Sequence, residues 1–95
     1  MKNIERDRKR AWKEEQRALA RKDFPLANDM LEELFEAVDA SLEQNGCDHT
    51  LRLTRAWLVE RGQPPEAMIA WLAKHGGHCD CEVIANALDY WEQNR

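Results

Sequence analysis

PLANDMLEELFEAVDASLE, residues 25–43, sets the class of the fold. Ala27, Met30, Leu31, Leu34, Phe35, Val38 and Leu42 recur there in steps of three and four, the spacing of one face of an α-helix. Pro25 suits a first helical turn, where the missing N–H has no partner to lose, and Asn45-Gly46 tolerates a left-handed stop. Such a helix must cover its apolar stripe with other elements, and the rest of the chain supplies them in kind.

Downstream, the spacing predicts a third helix from about Asp48 to Arg61 and a fourth from Pro65 to His75. Their ends match: AWLVERG at residues 56–62 and AWLAKHG at residues 70–76, each closing on a glycine. The shared Trp-Leu pair reads first as core. A last helix, from about Asp80 to Glu92, carries Val83, Ile84, Ala87, Leu88 and Trp91 on one face. No segment alternates with period two over a useful length, so the expectation is an all-α protein, a small bundle of four short helices.

Upstream, residues 1–24 form a basic helical arm, with helix from Ile4 to Lys22, and residues 25–95 form the helical domain. The arm is rich in good helix formers, but its apolar stripe of Ile4, Ala11, Trp12, Ala18 and Leu19 is thin, so packing through Trp12 is expected. Phe24-Pro25 ends it, because the residue before proline is pushed out of the helical region. Residues 1–22 carry nine Lys or Arg against four acids, whereas the remainder carries five against fourteen. The arm can therefore meet an acidic surface, its own body included, or nucleic acid through Lys2, Arg6, Arg8, Lys9, Arg10 and Lys13 with help from Arg52 and Arg55. A sequence pI near 5.3 and the lack of a basic stripe across residues 25–95 weigh against nucleic acid.

At 95 residues the chain is one modest domain, whose core gains from a staple. No apolar run approaches the roughly 20 residues that cross a bilayer, and no secretion signal follows the first charges. A cytoplasmic location is expected. In a reducing compartment three cysteines point to metal binding or thiol chemistry rather than disulfides.

Those cysteines sit in two parallel triplets, Cys47-Asp48-His49 and Cys79-Asp80-Cys81, each just before a helical run. Asp48 and Asp80 are expected N-caps of helices three and five. Positions two apart on a regular helix diverge, but at a helix start the first residue is still extended, so Cys47 with His49 and Cys79 with Cys81 can turn toward one point. Cys47, His49, Cys79 and Cys81 are thus the expected ligands of a closed Cys3His zinc site, with free helix amides favouring the thiolates. His75 and His78 are substitute ligands, and His75 also suits a helix C-terminus. Reduced thiols packed as small apolar groups, or a Cys79–Cys81 disulfide resolved by Cys47, remain alternatives.

GCDHTLRLT, the AWL segment and GGHCDCEVIANA together resemble a family of small bacterial proteins, domain of unknown function 2695, over about residues 25–90. The resemblance implies that Cys47, Asp48, His49, Cys79, Asp80 and Cys81 form one site, with Glu82 and Asn86 as companions. It implies no activity. No metalloprotease or deaminase motif is present, and an interaction module with an unidentified protein partner is expected rather than an enzyme, with thiol redox or zinc-dependent hydrolysis as the enzymatic alternative.

Overall fold

In the computed structural model, which describes residues 2–95 with side chains from Arg6 onward, five helices follow one another. They are α1 (Lys2–Lys22), α2 (Asn28–Asn45), α3 (Arg52–Glu60), α4 (Pro65–Lys74) and α5 over residues 80–94. The last is one continuous rod of three pieces, an α-helical turn (Asp80–Glu82), a π-helical stretch (Val83–Ala87) and an α-helical end (Leu88–Asn94). The all-α expectation holds, with no strand among the described residues.

The stripe on α2 buries Leu31, Leu34, Phe35 and Val38 against Trp57 and Leu58 of α3, Met68, Trp71 and Leu72 of α4, and Val83, Ala87 and Trp91 of α5. Leu31, Leu34, Leu58 and Leu72 are fully enclosed. Truncating any one to alanine removes its transfer free energy and leaves a cavity, together about 2–5 kcal/mol. Both Trp-Leu pairs of the repeated AWL segment thus lie in the core.

The repeat also dictates how α3 and α4 stop. Gln63 donates to the carbonyl of Leu58 at 2.8 Å and Gly77 to that of Leu72 at 2.7 Å, with left-handed Gly62 (φ 70°) and Gly76 (φ 82°) making the turns. These six-residue closures are Schellman motifs, and they need a residue free to take positive φ.

Helix α2 begins three residues later than its proline predicts. Phe24 packs edge-on to Trp71 with centroids 5.7 Å apart, which draws residues 24–27 across α4 before the helix can start. Asn28, at the new start, accepts a hydrogen bond from Trp91 Nε1 at 3.0 Å. Helix α1 runs along α5, and an ion pair at 3.2 Å joins Asp23 to Lys74 of α4. Packing through Trp12 does not occur: Trp12 is 60% and Leu19 53% exposed. Trp12 lies beside Gln93 and Asn94, polar residues that give its ring little to bury against. The placement expected for the side chains of Ile4 and Lys2 lies outside the described residues.

Candidate metal centre

The loop after α2 places the first thiol. Gly46 (φ 68°) donates to Leu42 O at 2.8 Å and turns the chain, and Cys47 follows. Asp48 does not cap α3, which starts four residues later at Arg52. Its carboxylate instead accepts the Thr50 N–H at 3.1 Å and the Thr50 hydroxyl and pairs with Arg52 Nε at 3.3 Å, closing a local Asx-type turn. Asp48 is exposed, and its acidity is raised chiefly by the Thr50 hydroxyl bond, then by the Thr50 amide and Arg52. Inside that turn His49 takes a left-handed backbone (φ 68°), uncommon for a residue with a side chain. This conformation aims the His49 N–H at Cys47 Sγ, 3.4 Å away.

The second triplet crosses to the same point. Asp80 N–H donates to Thr50 O at 2.9 Å, stitching the two loops together. Asp80 does not cap its own helix, whose N-cap is the extended Cys79 (φ −146°, ψ 169°). It caps α3 from outside. One carboxylate oxygen accepts Leu53 N–H at 2.9 Å, the other accepts Thr54 N–H at 3.0 Å and Thr54 Oγ1 at 2.7 Å, and the residue is 1% exposed. A helix start offers four amides without helical partners, so a carboxylate reaching across the chain is as good a cap as a local one.

That stitch brings Cys47, Cys79 and Cys81 together, their sulfurs all within 4.8 Å of one another and those of Cys79 and Cys81 at 3.3 Å. Zinc at about 2.3 Å from each tetrahedral thiolate holds sulfurs about 3.8 Å apart. The Cys79–Cys81 separation is a little shorter than that value and no pair exceeds 4.8 Å, so the three cysteines suit a metal ion with small side-chain adjustments. Cys79 is buried, Cys47 half-buried and Cys81 exposed, so the triad runs from core to surface.

The thiols are electrostatically unequal. Cys47 is shifted toward the thiolate by the backbone N–H groups of Cys81 and then His49. Cys81 is pushed up to about 12, first by its hydrogen bond with Cys79, then by that with Cys47, with burial and the neighbouring charges acting the same way. Three sulfurs this close resist shedding three protons unless a cation takes their place.

A family model described as "Protein of unknown function (DUF2695)" matches residues 34–86. The chain belongs to this family. Uncharacterised proteins from two strains of Mycobacterium tuberculosis and one of Mycobacterium bovis are each 33% identical to it over 76 residues, 80% of this chain and 77% of theirs. No solved structure matches. The DUF2695 region encloses both cysteine triplets and the Asp80 cap, and leaves α1 outside.

The three histidines stand apart from the sulfur cluster. His49 is exposed and contributes its backbone N–H, its imidazole lying outside the group of three. His78 is exposed, and its N–H donates to Glu82 Oε1 at 3.1 Å, which gives Glu82 its place. His75 stacks on Tyr90 with centroids 3.7 Å apart and sits edge-on to Trp71, away from the thiols. Asn86 Nδ2 donates to Gly76 O at 3.0 Å, tying the glycine turn to the π-helical stretch. Sequence reasoning missed Thr54. Its signal is a polar residue three and four places before Trp57 and Leu58, fully buried because Asp80 waits for it.

Proposed function

We propose that this chain is a zinc-stapled helical interaction module, the metal bound by Cys47, Cys79 and Cys81 with His49 as fourth ligand. The observation that carries the reading is the convergence within 4.8 Å of three sulfurs from two loops, Cys47 standing 32 residues before Cys79. Cys3His is a closed donor set, and a closed set is structural rather than catalytic. His49 follows Cys47 by two residues and its side chain is exposed, which leaves the imidazole free to turn toward the triad as the remaining ligand. Zinc there ties the end of α2 to the start of α5, with α3 locked between them through Asp80. The free energy of such sites, roughly 10–16 kcal/mol in small zinc peptides, matches the whole stability of a typical domain. Thiolate ligation also fits a reducing, cytoplasmic setting.

The test is native mass spectrometry of protein purified without added metal, followed by circular dichroism with and without a chelator. One zinc per chain and loss of helicity on chelation are expected. Co(II) substitution then reads the donor set, because tetrahedral sulfur-rich coordination has its own absorption bands. His49→Ala shifts those bands if His49 is the fourth ligand, whereas unchanged bands in His49→Ala and changed ones in His78→Ala assign that corner to His78. A metal-free protein with full helicity refutes the staple.

A further inference from the structure

The side of the bundle away from α1 holds a groove of about 150 Å³ between α2 and α5. Its α2 wall carries Glu32, Glu36 and Asp39, and its α5 wall carries Glu92. None of these four acids is in an ion pair among the described residues. Phe35 and Trp91, tilted with centroids 5.3 Å apart, form the floor. Over the Trp91 ring lies a guanidinium, that of Arg95, at 4.5 Å. The groove therefore already accepts one arginine as an acidic-walled, aromatic-floored slot does, by cation–π contact and surrounding negative charge.

The chain carries a counterpart. Arg6, Lys9, Arg10 and Lys13 share one exposed face of α1 and enter no ion pair among the described residues. Glu32, Glu36 and Asp39 are spaced by four and three residues, and so are Arg6, Arg10 and Lys13, while Arg6, Lys9 and Lys13 give the reverse order. At a rise of about 1.5 Å per residue each set spans about 10 Å, so charges meet in register whichever way two helices run side by side.

The arm cannot reach the groove of its own chain. It lies against Tyr90, Gln93 and Asn94, whereas the groove uses Leu88, Trp91, Glu92 and Arg95. At about 100° per residue those two sets point to nearly opposite sides of α5. Residues 2–11 run on past Gln93 and Asn94 at the end of α5, and the molecule is 55 Å long against 24 and 20 Å across.

We propose that the acidic α2–α5 groove receives the basic α1 helix of a second copy of this chain, in a two-fold dimer where each arm fills the partner's groove. A self-complementary exchange of this kind closes on itself and leaves neither the basic arm nor the acidic slot bare. The proposal names the partner in the interaction-module reading, and it stands independently of which metal the thiols hold.

Sedimentation velocity on the full chain, over a concentration series at about 0.1 M and about 1 M salt, tests it, because the screening length falls from about 10 Å to about 3 Å between the two. A dimer at the lower salt that dissociates at the higher is expected. Arg6→Glu/Arg10→Glu/Lys13→Glu in one variant and Glu32→Lys/Glu36→Lys/Asp39→Lys in another each weaken self-association by about ten-fold or more, while an equimolar mixture of the two reassociates. Zinc content measured on the same samples stays at the wild-type value, which separates loss of the dimer from loss of the staple. A wild-type chain that stays monomeric throughout, variants that dimerise as wild type does, or a mixture without reassociation overturns the proposal. Monomeric wild type that retards RNA or DNA through the same arginines overturns it too and assigns the arm to nucleic acid.

Discussion

Asp80→Ala strikes the point where the two loops are joined, and its cost follows from the contacts. The carboxylate is 1% exposed and accepts the N–H groups of Leu53 and Thr54 and the Thr54 hydroxyl. Each buried donor left without a partner costs about 1–3 kcal/mol, while the hydroxyl can turn back to a carbonyl of its own helix. Two stranded amides therefore cost about 2–6 kcal/mol, offset in part because the variant no longer buries a charge. A net loss near 3 kcal/mol is expected, about a third of what a domain of this size has to lose. Asp48→Ala, which opens only an exposed turn, costs far less than Asp80→Ala. Urea denaturation of the metal-saturated proteins, followed by circular dichroism, gives both numbers at a common m-value. Thr54→Val removes one bond without touching a residue between two thiols, and it should be non-additive with Asp80→Ala by about 1 kcal/mol. Equal costs for Asp48→Ala and Asp80→Ala, or additivity of Thr54→Val with Asp80→Ala, would refute the cross-chain cap.

Removing the metal with a chelator lowers the thermal midpoint, and zinc restores it in a concentration-dependent way, since a ligand a thousandfold above its dissociation constant stabilises by about 4 kcal/mol; scanning calorimetry over a zinc series reads this directly. Gly76→Ala costs more than Gly62→Ala in urea denaturation: both force alanine into positive φ, for about 1 kcal/mol, but only at Gly76 does the new methyl meet Asn86 Cβ, at 3.2 Å. His75 titrates below its ordinary 6.5, first because burial disfavours the imidazolium and then through Lys74, with Asp23 opposing. The unfolded chain thus binds the proton more readily, so this contribution to stability is full above pH 6.5 and is lost as pH falls through the lower folded value. Lys22, Asp23, Lys74 and Tyr90 face the ring. His75→Phe keeps the aromatic stack, removes the unpartnered Nε2, and flattens stability measured between pH 7 and the acid limb; an unchanged profile assigns the slope elsewhere.

The helices were legible because their cues are local. The apolar steps of α2, the Pro64-Pro65 pair at the start of α4 and the twin AWL segments with closing glycines each act within a few residues, and the core formed from the residues that those steps select. The closeness of the thiols was legible in part for a similar reason, since Cys79 is extended at the start of α5, whereas Cys47 stands five residues before α3 and is brought in by its own turn. What the sequence could not disclose depended on partners far along the chain. Asp48 and Asp80 look alike as caps, yet one closes its own turn and the other caps a helix that starts 28 residues earlier, because Thr50 O and Asp80 N–H pair and set the carboxylate against α3. The start of α2 moved for Phe24's contact with Trp71, and Trp12 stayed exposed for want of an apolar neighbour. Both outcomes were decided by what lay opposite.

The π-helical stretch in α5 has a consequence for the phase of the molecule. There Leu88 donates to Val83, five residues back, where an α-turn would reach four. One residue more per turn rotates everything after it by about 100° relative to an uninterrupted helix. The rod therefore serves two clients whose demands are out of step: its first turn must aim Cys81 at the other two thiols, while its last two turns must aim Trp91 at α2 and Tyr90 at α1. The inserted residue acts as a phase shifter between them. Deleting one residue within 83–87 should leave a good helix that can satisfy either the thiols or the tryptophan, and not both.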